Sequence, residues 1–226
     1  MCASILSKPL KLMSLPPLTD FLALLGIDLV LSAGCLWLLS GRKGESRWAK
    51  WGAALFFIGS WLPVGAAHLP LLAYVRGITS DLSVTLVALA CLGAFRRWWG
   101  LPAVAEREKT ALYAVIALAA LFLYPMALGW GDWDSYRSGW GGWDLWTALL
   151  IVSSLAWLAG LRLLPALAGL ALFGWSAGLM ETNNLWDYLI DPWLASAALF
   201  RCLGSGTQLL QYRFRPAVSS DPNPLN

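Results

Sequence analysis

Carboxylates gather in two short stretches of this sequence. Residues 129–144 read GWGDWDSYRSGWGGWD and hold Asp132, Asp134 and Asp144 with Arg137. Residues 181–193 read ETNNLWDYLIDPW and hold Glu181, Asn183, Asn184, Asp187 and Asp191. Carboxylates can accept hydrogen bonds from sugar hydroxyls, hold a hard cation, or act as general acid and base. In the first stretch Gly129-Trp130-Gly131-Asp132 recurs as Gly139-Trp140-Gly141-Gly142, ten residues later. Indole rings beside carboxylates suit a sugar ring or a lipid head group. In the second stretch, a helical turn or two over 182–190 places Asn183, Asp187 and Asp191 on one face, one turn apart. The two stretches are expected to meet as one polar, aromatic-rimmed surface.

What positions them is apolar. The chain has 226 residues, 58% hydrophobic and 13% charged, about half the charge that covers a soluble domain. Seven apolar segments read as helices, at about 20–40, 51–74, 81–97, 110–128, 145–160, 164–180 and 192–210. Several approach the roughly 20 residues that cross a bilayer core. They are continuous rather than alternating, which argues for helices and against membrane strands. The fold class expected is therefore all-α, a polytopic integral membrane helix bundle forming a single domain. Seven spans are expected, with six as the alternative and 211–226 as a short cytoplasmic tail. Local signals set the ends: Ser80 or Asp81 opens the third helix, Asp144 the fifth, and Asp191-Pro192 supplies cap and first-turn proline to the seventh.

Charge sets the orientation. Arg42, Lys43, Arg47, Lys50, Arg96, Arg97, Arg107, Lys109, Arg162, Arg213 and Arg215 fall on one side of a seven-span chain. The other side holds Lys8, Lys11, Arg76 and Arg137. The positive-inside rule then puts the N-terminus outside and the C-terminus in the cytoplasm, across a cell (inner) membrane. The carboxylate-rich stretches lie outside, among the Trp residues of an interfacial belt that includes Trp186.

Asp28 and Arg201 lie deep inside the first and seventh spans. Asp28 is eight residues in from Asp20 and Arg201 nine in from Pro192, which at about 1.5 Å per residue gives both a depth of roughly 12–14 Å. They are expected to pair across the first and seventh helices, since an unpaired charge at that depth is costly.

Other motifs reduce to packing. Gly174-Trp175-Ser176-Ala177-Gly178 matches a hydrolase elbow in letters, but it lies within a helix, not after a strand. Gly174 and Gly178 instead form a small-xxx-small contact face. Four dispersed cysteines and one histidine give no metal or haem spacing. No metal and no cofactor are expected, and no basic cluster suits nucleic acid. Partners expected are membrane lipids and a membrane protein or a second copy of the chain. The leading functional expectation is a non-catalytic accessory or scaffold component with a lipid- or glycan-contacting outer face. A small enzyme acting on a lipid-linked substrate is the alternative, and a transporter or channel the third.

Overall fold

A computed structural model describes residues 18–41 and 47–213, with side chains to 205. The expected tail lies outside the described residues from 214 onward. The described chain is mostly helical: α1 Leu18–Ser40, α2 Arg47–Gly59, α3 Leu71–Thr79, α4 Val84–Trp98, α5 Glu106–Ala127, α6 Trp143–Leu158, α7 Leu163–Ser176, α8 Leu185–Leu189 and α9 Pro192–Arg213. A 3₁₀ helix, Ser135–Trp140, interrupts the α5–α6 connector. α1 and α5 are long and apolar enough to cross a membrane. Only 17% of the most apolar stretch of α1 is buried against the protein, so most of its apolar side chains face outward rather than into a core.

The second expected helix, 51–74, is two helices with a hairpin between them. Strands β1 Pro63–Val64 and β2 Leu69–Pro70 pair antiparallel, Pro63 opposite Pro70. Proline cannot donate to a helix ladder, and two of them seven residues apart end α2 and start α3 rather than kinking one helix.

Packing forms two groups. α1 lies against α2 and α4, with Leu36, Ala49 and Ala53 buried between them. α5 lies against α9 and α7, with Leu112, Ile116, Ala120, Leu167, Ala171 and Ala198 in the main core. α4 joins the groups by packing on α7.

Helix ends depart from the local signals in instructive ways. α4 is capped by Ser83, whose Oγ accepts from Leu86 N at 3.1 Å, because Asp81 is drawn away to Arg76. α6 is preceded by Gly142 as cap, leaving Asp144 in the first turn, where its charge suits the helix N-terminus. α7 stops at Ser176, short of 180. Gly178, at φ +62°, is the left-handed residue beyond its C-cap Ala177. Leu179 N donates to Gly174 O and Gly178 N to Trp175 O, each at 3.1 Å, the paired bonds that satisfy a helix's last carbonyls. So Gly174 and Gly178 do not share a packing face. Gly174 packs, since a Cβ there would meet Val84 Cγ2 at 3.2 Å, and Gly178 terminates.

The expected Asp28–Arg201 pair is also corrected. Asp28 is fully buried and its carboxylate accepts from Ser32 Oγ at 3.2 Å, Ser60 Oγ at 3.0 Å and Trp61 Nε1 at 2.7 Å. Arg201 instead extends along α5, its guanidinium 5.1 Å from the Tyr113 ring centre, to reach Glu106 at 2.7 Å. A long arginine stem can carry its charge to a helix end, so equal depth of the Cα atoms does not imply pairing.

The bundle has two chemically distinct ends. At one, Arg97 Nη1 donates to Gly41 O and Arg107 Nη2 to Ala159 O, and Glu108 accepts from Arg162 N and Leu163 N. At the other, Asp20, Asp81, Glu181, Asp187 and Asp191 converge with Arg76.

Candidate functional site

The acidic end opens into a cleft of about 620 Å³. Four carboxylates line it, Asp81, Glu181, Asp187 and Asp191, beside Tyr124 and Tyr136 over an apolar floor that includes Leu123 and Ile190.

Asp191 is a structural junction. Its Oδ1 accepts from Leu194 N at 2.8 Å, capping α9, and its Oδ2 accepts from Ser83 N at 2.9 Å and Ser83 Oγ at 2.6 Å. One buried carboxylate thus ties together the N-termini of α9 and α4, where helix dipoles favour negative charge. Asp187 uses one oxygen, Oδ2, to accept from Tyr136 OH at 2.8 Å and Thr182 Oγ1 at 2.7 Å. Its Oδ1 has no hydrogen bond among the described residues. Burial, and then the bond to Asp187, push the Tyr136 phenol up to about 12. Burial also raises the Tyr188 phenol, which donates to Thr182 O and accepts from Met180 N.

Arg76 gathers the rim. Its guanidinium lies 2.6 Å from Asp20, 2.7 Å from Asp81 and 3.5 Å from Glu181. The N-termini of α1 and of the α3–α4 connector are thereby held to the connector after α7. Glu181 is the most exposed of these carboxylates and faces the cleft mouth.

The two carboxylate-rich connectors dock on each other. Asn184 is buried, caps α8 by accepting from Trp186 N at 3.0 Å, and donates from Nδ2 to Tyr136 O at 3.0 Å. Trp186, expected at the membrane interface, is instead buried and donates from Nε1 to Ser135 O and Ser138 Oγ. The fit requires glycine at 139, where a Cβ would lie 1.8 Å from Asn184 Oδ1. Trp130, Trp133, Trp140, Trp143 and Trp193 remain exposed around this end.

Of the residues singled out in the sequence, Glu181, Asp187 and Asp191 line the cleft. Asp132, Asp134, Arg137 and Asp144 are exposed and do not. Asp134 caps the 3₁₀ helix by accepting from Tyr136 N at 2.9 Å. Asn183 contributes its backbone carbonyl to Trp175 Nε1 at 2.8 Å. Asp81, Tyr124 and Tyr136 were not expected in the site. Asp81 read as a helix cap, and the tyrosines carry no local signal.

Among the described residues no cluster of His, Cys, Asp or Glu is arranged to hold a metal ion. The acceptors in the cleft are largely engaged by protein donors, so the arrangement is preformed and rigid. It suits a ligand that offers hydroxyl or ammonium donors and carries an apolar part. No protein family model, curated protein or solved structure matches this chain.

Proposed function

We propose that this chain is a seven-pass protein of a cell (inner) membrane, with its N-terminus outside and its C-terminus in the cytoplasm. It acts as a non-catalytic accessory or scaffold component, and its outer cleft receives the polar head of a lipid or glycolipid. The membrane reading is supported by the outward-facing apolar side chains of α1, α5 and α6, among them Leu38, Leu118, Leu121, Leu150 and Leu155. In water such surfaces aggregate, whereas in lipid they are the wetted face. The orientation is supported by the basic and acidic ends, which the positive-inside rule assigns to cytoplasm and exterior.

α6 and α7, at 16 and 14 residues, are roughly 24 and 21 Å long. They cross by locally thinning the bilayer, anchored by Trp143 and Trp146 near the outer end and by the Arg162–Trp157 contact, 5.0 Å, at the inner.

The observation that carries the non-catalytic reading is the state of the cleft's carboxylates. Asp191 is engaged at two helix N-termini, Asp81 by Arg76, and Oδ2 of Asp187 by a tyrosine and a threonine, while Glu181, 3.5 Å from Arg76, and Asp187 Oδ1 remain as acceptors for a ligand's donors. A general acid and base must be free to move a proton to substrate, and none of the four carboxylates is wholly free. Native mass spectrometry of the protein in native-membrane nanodiscs tests this. The expected result is a co-purifying lipid or glycolipid of unchanged mass, or a companion protein, with the small-molecule adduct lost in Glu181→Gln combined with Asp187→Asn. Conversion of the retained lipid to a new mass by the native protein, abolished in that variant at equal abundance, would overturn the non-catalytic reading in favour of an enzyme.

A further inference from the structure

We propose that the groove between α1 and α4 at the basic end is a binding site for an anionic glycerophospholipid of the cytoplasmic leaflet, its phosphate on Arg96 and Arg97 and one acyl chain in the slot. The proposal rests on the reading of this chain as a membrane protein and is independent of the outer cleft.

The groove holds about 580 Å³. Small residues make its walls: Ala33 and Gly34 on α1 face Ala90, Gly93 and Ala94 on α4. With Val30 and Trp37, which also line the groove, the α1 set recurs at three and four residues as the α4 set does, which puts each on one helix face. A Cβ built on Gly34 or Gly93 would meet nothing within 4 Å among the described residues, which leaves room along both. Among the described residues it is lined by Arg96, Arg97 and Lys109 and by no acidic residue. The nearby Glu106 bonds both Lys109 and Arg201 at 2.7 Å, so Lys109 is already paired and Arg96 and Arg97 carry the charge at the slot.

The arginines are already positioned. Arg96 Nη1 donates to Pro102 O and Arg97 Nη1 to Gly41 O, which fixes each guanidinium at the slot's mouth. Arg96 Nε is buried and has no hydrogen-bond partner among the described residues, so a ligand meets the outer guanidinium nitrogens of the two arginines. A phosphate oxygen is an acceptor that a planar guanidinium fits well. An apolar slot crowned by cations, on the side where basic connectors collect, selects an anionic head attached to a hydrocarbon chain.

Recovery of the protein from the membrane fraction first checks the reading on which this rests. Detergent-purified protein is then titrated with phosphatidylglycerol, phosphatidylethanolamine and glycerol phosphate, and bound adducts are counted by native mass spectrometry. The expected result is phosphatidylglycerol retained at least about tenfold better than phosphatidylethanolamine, about 1.4 kcal/mol. Arg96→Gln with Arg97→Gln should bring the two lipids level. Gly93→Leu, which fills the slot without changing charge or meeting protein atoms at its Cβ, should lose phosphatidylglycerol equally. Asp132→Asn, exposed at the other end and lining neither cavity, should leave the preference unchanged. Equal retention of the two lipids by the native protein would overturn the proposal. So would a Gly93→Leu protein that binds phosphatidylglycerol normally, or glycerol phosphate competing as well as the intact lipid.

Discussion

Asp28 and Arg201 show how a charge inside an apolar helix finds its partners. Asp28 is met by three neutral donors from its own helix and from the end of α2, and it makes no ion pair among the described residues. Removing its carboxylate in Asp28→Ala strands Trp61 Nε1 and the Ser60 hydroxyl, with an expected loss of about 1–3 kcal/mol. Because Arg201 bonds Glu106 instead, Asp28 and Arg201 should behave independently. A double-mutant cycle by reversible unfolding in mixed micelles should give a coupling below about 0.5 kcal/mol, and rescue by the charge swap would contradict the observed contacts. Gly139 makes the opposite case, a residue whose absent side chain matters. Gly139→Ala places a methyl within 1.8 Å of Asn184 Oδ1, and overpacking of this kind costs about 1–3 kcal/mol or more. The expected readout is undocking of the two connectors, seen as increased exposure of Trp186 by fluorescence.

Tyr136 makes the docked cap sensitive to base. Its phenol is raised from 10.0 to about 12 in the fold. For an acid raised on folding, the protonated form is the one the fold favours. That contribution is complete below pH 10 and disappears as pH climbs through 12. Thermal unfolding of the native protein should therefore lose stability between pH 10 and 12, and Tyr136→Phe should flatten that limb.

Element ends carry the second set of lessons. α7 is held at its start by Glu108 of α5, which accepts from Arg162 N and Leu163 N at 2.8 and 3.0 Å, and at its end by the left-handed Gly178. Glu108→Ala is expected to cost about 1 kcal/mol, the usual value of a lost N-terminal cap. Gly178→Ala is expected to cost about 1–2 kcal/mol because an L side chain is strained at that φ. Both are measurable as lowered unfolding midpoints. These ends also mark how far the sequence could be read. The long apolar runs of α1 and α5 and the Asp191-Pro192 start of α9 are local signals, and each gives its helix directly. The cap of α4 is not local. Asp81 is the better-looking cap in sequence, but Arg76 claims it and Asp191, more than a hundred residues away, fixes Ser83 in its place. The Pro63–Pro70 hairpin was hidden for a similar reason, since two prolines in an apolar run equally describe a kink. In the cleft, acidic residues announced themselves by type, but Tyr124 and Tyr136 and the choice of Asp81 over Asp132 depend on how helices from both groups converge.

At the scale of the whole molecule, the bundle has one acidic and one basic end, each with its own cavity. In the proposed orientation the acidic cleft lies outside among exposed indoles and the basic groove inside among arginines. The most direct measurement is labelling of single cysteines with a membrane-impermeant maleimide on intact cells, in a background lacking Cys2, Cys35, Cys91 and Cys202. Cysteines at Asp132 and Glu181 should label in intact cells, and cysteines at Gly100 and Gly160 only after the membrane is permeabilised. Labelling of both sets from the same side, or of the second set alone in intact cells, would contradict the proposed crossings and orientation.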